Sequence, residues 1–170
     1  MSEHDKNILE ERAKLQSVRP TDVTNESDLL PAVAFVLHPE VYAIEYTYMK
    51  EVLTMKNLAP LPGTPDYVMG IVNYRGEVVS ALNLKKLFGL REMGLTEFNK
   101  LLIVSDGAMS IGIVADAIQG NTMINTGTLS KPPMTVSETA VEFFSGVTPG
   151  GLILLDAGKM LKSAKIIVDQ

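Results

Sequence analysis

Three acidic residues and one arginine stand where they could do chemistry in this 170-residue chain. Glu45 and Glu51 lie within or beside the apolar stretch VYAIEYTYMKEVL, and Asp156 closes the apolar run of LILLDAG. Arg75 is the one charge at the bend of GIVNYRGEVV. A carboxylate within an apolar strand must find a cation or see its pKa rise, because desolvation penalises the ionised form. Arg75 is the candidate partner for Glu51. The bland alternatives are an exposed strand edge for Glu51 and a solvated hairpin tip for Arg75.

LILLDAG (152–158) has the strand-then-Asp-x-Gly look of one aspartic-protease half, and INTGT (124–128) resembles the other. Such an enzyme needs two close carboxylates sharing a proton. Here Asn125 stands at the second position and cannot titrate, and Ala157 replaces a hydroxyl residue. Asp156 therefore reads as a helix cap, with a hydrolase using Asp156 as a minor alternative. The two histidines, His4 and His38, have no spaced His or carboxylate partner that suggests a metal site. There is no cysteine, so disulfides, thiolate metal sites and cysteine nucleophiles are excluded together. No G-x-S-x-G, Walker loop or G-x-G-x-x-G occurs. The expectation is a chain without catalytic residues, cofactor or metal.

The elements that must position these residues follow from composition and pattern. With 46% hydrophobic and 21% charged residues, the chain can bury a real core. Residues 1–30 hold four Lys/Arg against seven Asp/Glu, and residues 31–170 hold eleven against thirteen. The nearly neutral body offers no basic stripe for phosphates, and the absence of Trp gives no sign of a stacking platform, so nucleic-acid binding is disfavoured. No apolar run approaches the roughly 18 residues a membrane helix needs. The start, MSEHDKNILEERAK, is too charged for a secretory signal, so a cytoplasmic protein is expected.

Residues 5–18 are filled with good helix formers and end at Arg19-Pro20, which reads as a short helix docked on the body or a partner, with a frayed or disordered tail as the alternative; 21–30 read as a polar linker. From Pro31 the texture changes to short β-rich runs punctuated by Gly, Pro, Asp and Asn, giving a division into residues 1–30 and 31–170. SDGAM between KLLIV and SIGIV is a hairpin signal. Two stretches share a grammar, GIVNYRGEVVSALNLKKLFG and SGVTPGGLILLDAGKMLK. Each runs strand, Gly turn, strand, then Asn83 or Asp156 placed to cap a short helix. The expectation is a mostly β fold, a small barrel or sandwich built from two similar halves.

At these residues the chain resembles the CheW-like domain family of chemotaxis coupling proteins, from about Val33 to Leu161. The resemblance is carried by VAFVLHPEVYAIEYTYMKEVL, by APLPGTPDYVMGIVNYRGEVVSALNL with its G-x-x-N-x-R-G, by KLLIVSDGAMSIGIVADAI and by FFSGVTPGGLILLDAGKML. Ser80-Ala81, Asn83 and Tyr74 depart from the family pattern, Ser80 on a strand where partner contact is expected, and the stretch 120–135 matches poorly as a loop. The resemblance implies two intertwined five-stranded SH3-like β-barrels with short helices. It implies a non-enzymatic adaptor that couples the cytoplasmic tip of chemoreceptors to the regulatory domain of a CheA-type histidine kinase. Serving a non-motility chemosensory pathway, such as pili or gene control, is the alternative within that fold. By resemblance, Asn73, Arg75, Gly76, Glu51 and Met49 form a receptor face, with Arg75 and Glu51 as a half-buried pair. One face would take a receptor helix and another a β-edge of the kinase. The protein is expected to be monomeric alone, to join a receptor array and to need no membrane insertion.

Overall fold

The structure is a computed structural model in which residues 28–55, 58–90, 99–132 and 141–163 are described. The helix expected over residues 5–18, and His4, lie outside them. Ten strands are found among the described residues: β1 (Leu29–Leu37), β2 (Glu40–Glu45), β3 (Met49–Thr54), β4 (Val68–Tyr74), β5 (Glu77–Leu82), β6 (Lys100–Ser105), β7 (Ser110–Ala115), β8 (Ala117–Asn125), β9 (Phe144–Val147) and β10 (Ile153–Leu155). They form two five-stranded sheets, ordered β8-β1-β2-β10-β9 and β3-β6-β7-β5-β4.

The two orders describe one motif used twice with an exchange. β1 and β2 form a hairpin in the first sheet, but β3, β4 and β5 belong to the second. β6 and β7 form the matching hairpin in the second sheet, while β8, β9 and β10 return to the first. Each half of the chain thus lends a hairpin to one sheet and three strands to the other, which is how the halves intertwine. The exchange explains a break that the sequence hides. VYAIEYTYM reads as one apolar run, yet β2 stops at Glu45, a 3-10 turn spans Tyr46–Tyr48, and β3 starts in the other sheet. The return crossing is shorter, with Asp116 alone between β7 and β8. The stretch from residue 120, read as a poorly matched loop, is a strand as far as Asn125 and pairs with β1. Its apolar signal is weak because alternate residues of β8 face solvent.

Strand alternation fills three cores. In β6, Leu102 and Val104 enter the largest cluster, while Leu101 and Ile103 enter the cluster enclosed by the second sheet. In β2, Tyr42 and Ile44 join the largest cluster, and Ala43 joins the small core of the first sheet. Central strands are therefore apolar on both faces, one turned into their own sheet's curl and one against the opposite half.

Neither sheet closes as a barrel with a continuous ladder. Each seam is joined instead by one isolated antiparallel bridge, Ala59 to Ile71 in the second sheet and Ser130 to Val147 in the first. Both bridges carry reciprocal backbone hydrogen bonds of 2.8–2.9 Å. A glycine precedes the bridged residue each time. A Cβ on Gly70 would lie 2.6 Å from the Ala59 carbonyl oxygen, and one on Gly146 would lie 2.9 Å from Leu129 Cβ. The missing side chains let the seams approach.

Two short helices follow β5 and β10. Over Leu84–Phe88, Asn83 caps by accepting from the Lys86 N–H at 3.3 Å. Over Ala157–Lys162, Asp156 accepts from the Lys159 N–H at 3.0 Å. Both helices bury their apolar side in the largest cluster through Leu84, Leu87 and Phe88, and through Ala157, Met160 and Leu161.

Candidate functional site

Arg75 and Gly76 make the two-residue turn of the β4–β5 hairpin, closed by the pair Tyr74 and Glu77. Both turn residues have positive φ, 50° and 80°, which a tight hairpin needs if its strands are to keep their twist. Among the described residues Arg75 is the only non-glycine there. Glycine accepts that region freely and asparagine more readily than arginine, so the arginine is held at a cost of about 1 kcal/mol. The Asn73 side-chain oxygen accepts from the Gly76 N–H at 3.0 Å and fixes the turn.

The Arg75 guanidinium lies 3.6 Å from a Glu51 carboxylate oxygen and 5.4 Å from the centre of the Tyr74 ring. The Tyr74 phenol is held above its ordinary pKa by partial desolvation and then by the neighbouring Glu51 carboxylate, with Arg75 pulling it down. Glu51 is on β3 and Arg75 at the end of β4, the two edge strands of the second sheet, so the trio spans the seam. The Arg75 side chain is 78% exposed and that of Glu51 is 39% exposed. The half-buried pair expected from sequence is thus mostly in water, where such pairs contribute about 0–1 kcal/mol. An exposed guanidinium keeps most of its five donors free for a partner.

Met49 and Glu51 would share a face by simple alternation. A register shift between them pairs Met49 with Val104 and Glu51 with Ile103, adjacent residues of β6 on opposite faces. Met49 therefore packs against the largest core, while Glu51 stands with Tyr74 at the rim of the second sheet's own interior. On the Met49 side, one row crosses all five strands: Met49, Val104, Ile111, Ser80 and Ile71. Val104 and Ile111 are buried, whereas Met49, Ser80 and Ile71 are partly open. The hydroxyl of Ser80 thus interrupts an otherwise apolar row.

Sequence reasoning missed a second polar cluster. Lys85, in the first helix, is buried and meets Asp116 at 2.5 Å in the β7–β8 crossing. Asp116 also accepts from the His38 N–H at 2.8 Å and the Asn99 side-chain amide at 3.2 Å. Burial pushes the Asp116 carboxyl up, but Lys85, His38 and Asn99 outweigh it and hold it below the usual carboxylate value. The only signal in sequence was a lone acid in IVADAI, which has no spacing relation to Lys85.

Asp156 and Asn125 both serve local turns: Asp156 caps its helix, and Asn125 accepts from the Gly127 N–H at 3.0 Å. Among the described residues no group of three His, Asp or Glu side chains could hold a metal ion. No described helix is long and apolar enough to cross a membrane.

Two exchanged five-stranded sheets around a shared core, with an arginine-bearing hairpin across one seam, define a two-sheet SH3-like domain. The chain belongs to the CheW-like domain family, whose description matches residues 31–165. It is 31% identical over 141 residues to the chemotaxis protein CheW of Treponema pallidum, covering 79% of this chain and 83% of that protein. It is likewise 31% identical over 120 residues to protein FrzA of Myxococcus xanthus, covering 68% of this chain and 74% of that one. The crystal structure of the scaffolding protein TtCheW from Thermoanaerobacter tengcongensis is similar at 26% identity, with a TM-score of 0.66 over 74% of this chain and 88% of that one.

Proposed function

We propose that this chain is a cytoplasmic, non-enzymatic signalling adaptor that couples chemoreceptors to a CheA-type histidine kinase. The observation that carries the reading is Arg75, an exposed cation kept in a conformation that favours glycine and steadied by Tyr74 and Glu51. A backbone outlier whose side chain contributes little to stability is better accounted for by a contact outside the chain. Family membership supplies the class of partner.

On this reading Asn73, Arg75, Gly76 and Glu51 form the polar rim of a receptor face, and Met49 with its row supplies the apolar floor. A receptor helix would place apolar side chains on that floor and a carboxylate or carbonyl against Arg75. The kinase regulatory domain would use a separate sheet edge, so that both partners bind at once. Modest contacts suffice, because assembly into an array multiplies weak affinities.

The test is calorimetric titration of the protein with a CheA-type regulatory domain and, separately, with a soluble chemoreceptor tip. The reading expects micromolar binding to each and loss of receptor binding alone when Arg75 is replaced. Failure to bind any kinase regulatory domain of the host would overturn it.

A further inference from the structure

The two crossings between sheets are held by different contacts at equivalent places. Counted from the helix caps, Lys85 is the second residue after Asn83, and Gly158 is the second after Asp156. Lys85 reaches the β7–β8 crossing through its ion pair with Asp116. Gly158 faces the other crossing, Tyr46–Tyr48, and a Cβ there would stand 3.2 Å from the Tyr48 hydroxyl oxygen and 3.9 Å from its Cζ. The φ of Gly158 is not positive, so its backbone does not require glycine. What crowds the open side of this glycine is the Tyr48 phenol.

Tyr48 leads directly into β3. Met49 follows it, donates its N–H to the Tyr46 carbonyl, and packs with Tyr48 against the largest core. Tyr48 thus stands between the second helix and the start of β3, one residue before the register shift that separates Met49 from Glu51. We infer that Gly158 and Tyr48 form a positioning contact through which the second helix sets Met49 and the entry of β3. The inference rests on the proposed function only in assigning Met49 to a receptor face; the mechanical link stands without it.

Gly158→Ala inserts one methyl at a separation tighter than nine in ten real Cβ contacts, so Tyr48 must give by a few tenths of an ångström. Alanine also favours helix more than glycine, which guards the fold. Tyr48→Phe removes the nearest atom, so the double variant Y48F/G158A should relieve the push. The probe is the Met49 methyl resonance in methionine-labelled full-length protein, assigned by Met49→Leu, with binding of a soluble chemoreceptor tip measured beside it. G158A should shift that resonance and weaken tip binding about 2- to 30-fold, and Y48F/G158A should restore both. Tyr48→Leu, which leaves Gly158 untouched, should move the resonance from the other side of the contact. A Met49 methyl unmoved by G158A and by Y48L, or moved equally in Y48F/G158A, overturns the inference. A resonance that moves and returns, in a protein that binds no receptor tip at all, supports the contact and overturns the adaptor reading instead.

Discussion

Lys85 and Asp116 meet at 2.5 Å between the helix that ends the first half of the chain and the crossing by which the second half changes sheet. Because Asp116 also takes the His38 N–H of the β1–β2 turn, one carboxylate ties together three segments that no local rule brings near one another. Lys85 is 7% exposed and Asp116 is 27% exposed, so this pair, unlike Arg75 and Glu51, lies where charge must be compensated.

Lys85→Met should therefore destabilise the fold by about 3 kcal/mol, toward the low end for breaking a buried pair because Asp116 keeps two other donors. Urea unfolding at neutral pH measures it. A change within about 0.5 kcal/mol, the scale of ordinary surface substitutions, would mean the pair is solvated in solution.

The same carboxylate predicts a pH dependence. Its folded pKa is depressed, so its stabilisation is complete above the ordinary value of 3.8 and disappears as pH falls through the lowered folded value. The stability gap between the wild type and Asp116→Asn should be constant from neutral pH to about pH 5 and narrow below pH 4. A gap that widens on acidification would contradict the sign.

Arg75→Asn should uncouple function from stability. Asparagine accepts positive φ more readily, offsetting the small loss of an exposed ion pair, so the melting temperature should move by no more than about 3 °C. Receptor-tip binding should nonetheless fall at least tenfold, because a short neutral amide replaces the charged, forked guanidinium. Full binding by R75N would remove Arg75 from the receptor face.

At the seams, Gly70→Ala should cost about 2–3 kcal/mol, since its methyl would meet the Ala59 carbonyl, a backbone atom that cannot rotate away. Gly112→Ala meets the Leu101 side chain at 2.8 Å, which can turn aside, and should cost less, about 1 kcal/mol. Denaturant midpoints of the two variants give the order directly; a reversed order would mean that the seam yields more easily than the core.

Asp156→Ala should lose about 1 kcal/mol through the cap, whereas Asp156→Asn, an equally good cap, should change neither stability nor coupling. Loss of function in D156N with normal stability would revive the hydrolase alternative.

Local signals in this sequence marked much of the local structure. Short apolar runs with turn residues between them marked most of the strands, because a residue's β preference and its turn chemistry act over a few neighbours. Asn83 and Asp156 stood out as caps for the same reason. The Arg75-Gly76 bend was visible, and so was Glu51 as a carboxylate in need of a cation. Family resemblance, not periodicity, supplied the adaptor reading.

The tertiary structure alone decided which sheet each strand joins. VYAIEYTYM is continuous in hydrophobicity, since both sheets bury apolar residues equally well, and nothing local marks the step from one to the other. It also decided that Met49 and Glu51 part onto opposite faces, because a bulge depends on the register with β6. It decided the exposure of Arg75, which follows from the tip of a hairpin standing clear of its neighbours. Lys85 with Asp116, and Gly158 with Tyr48, are contacts across the exchange of strands. Their chemistry is plain once the partners meet, but which partners meet is a property of the whole chain's path.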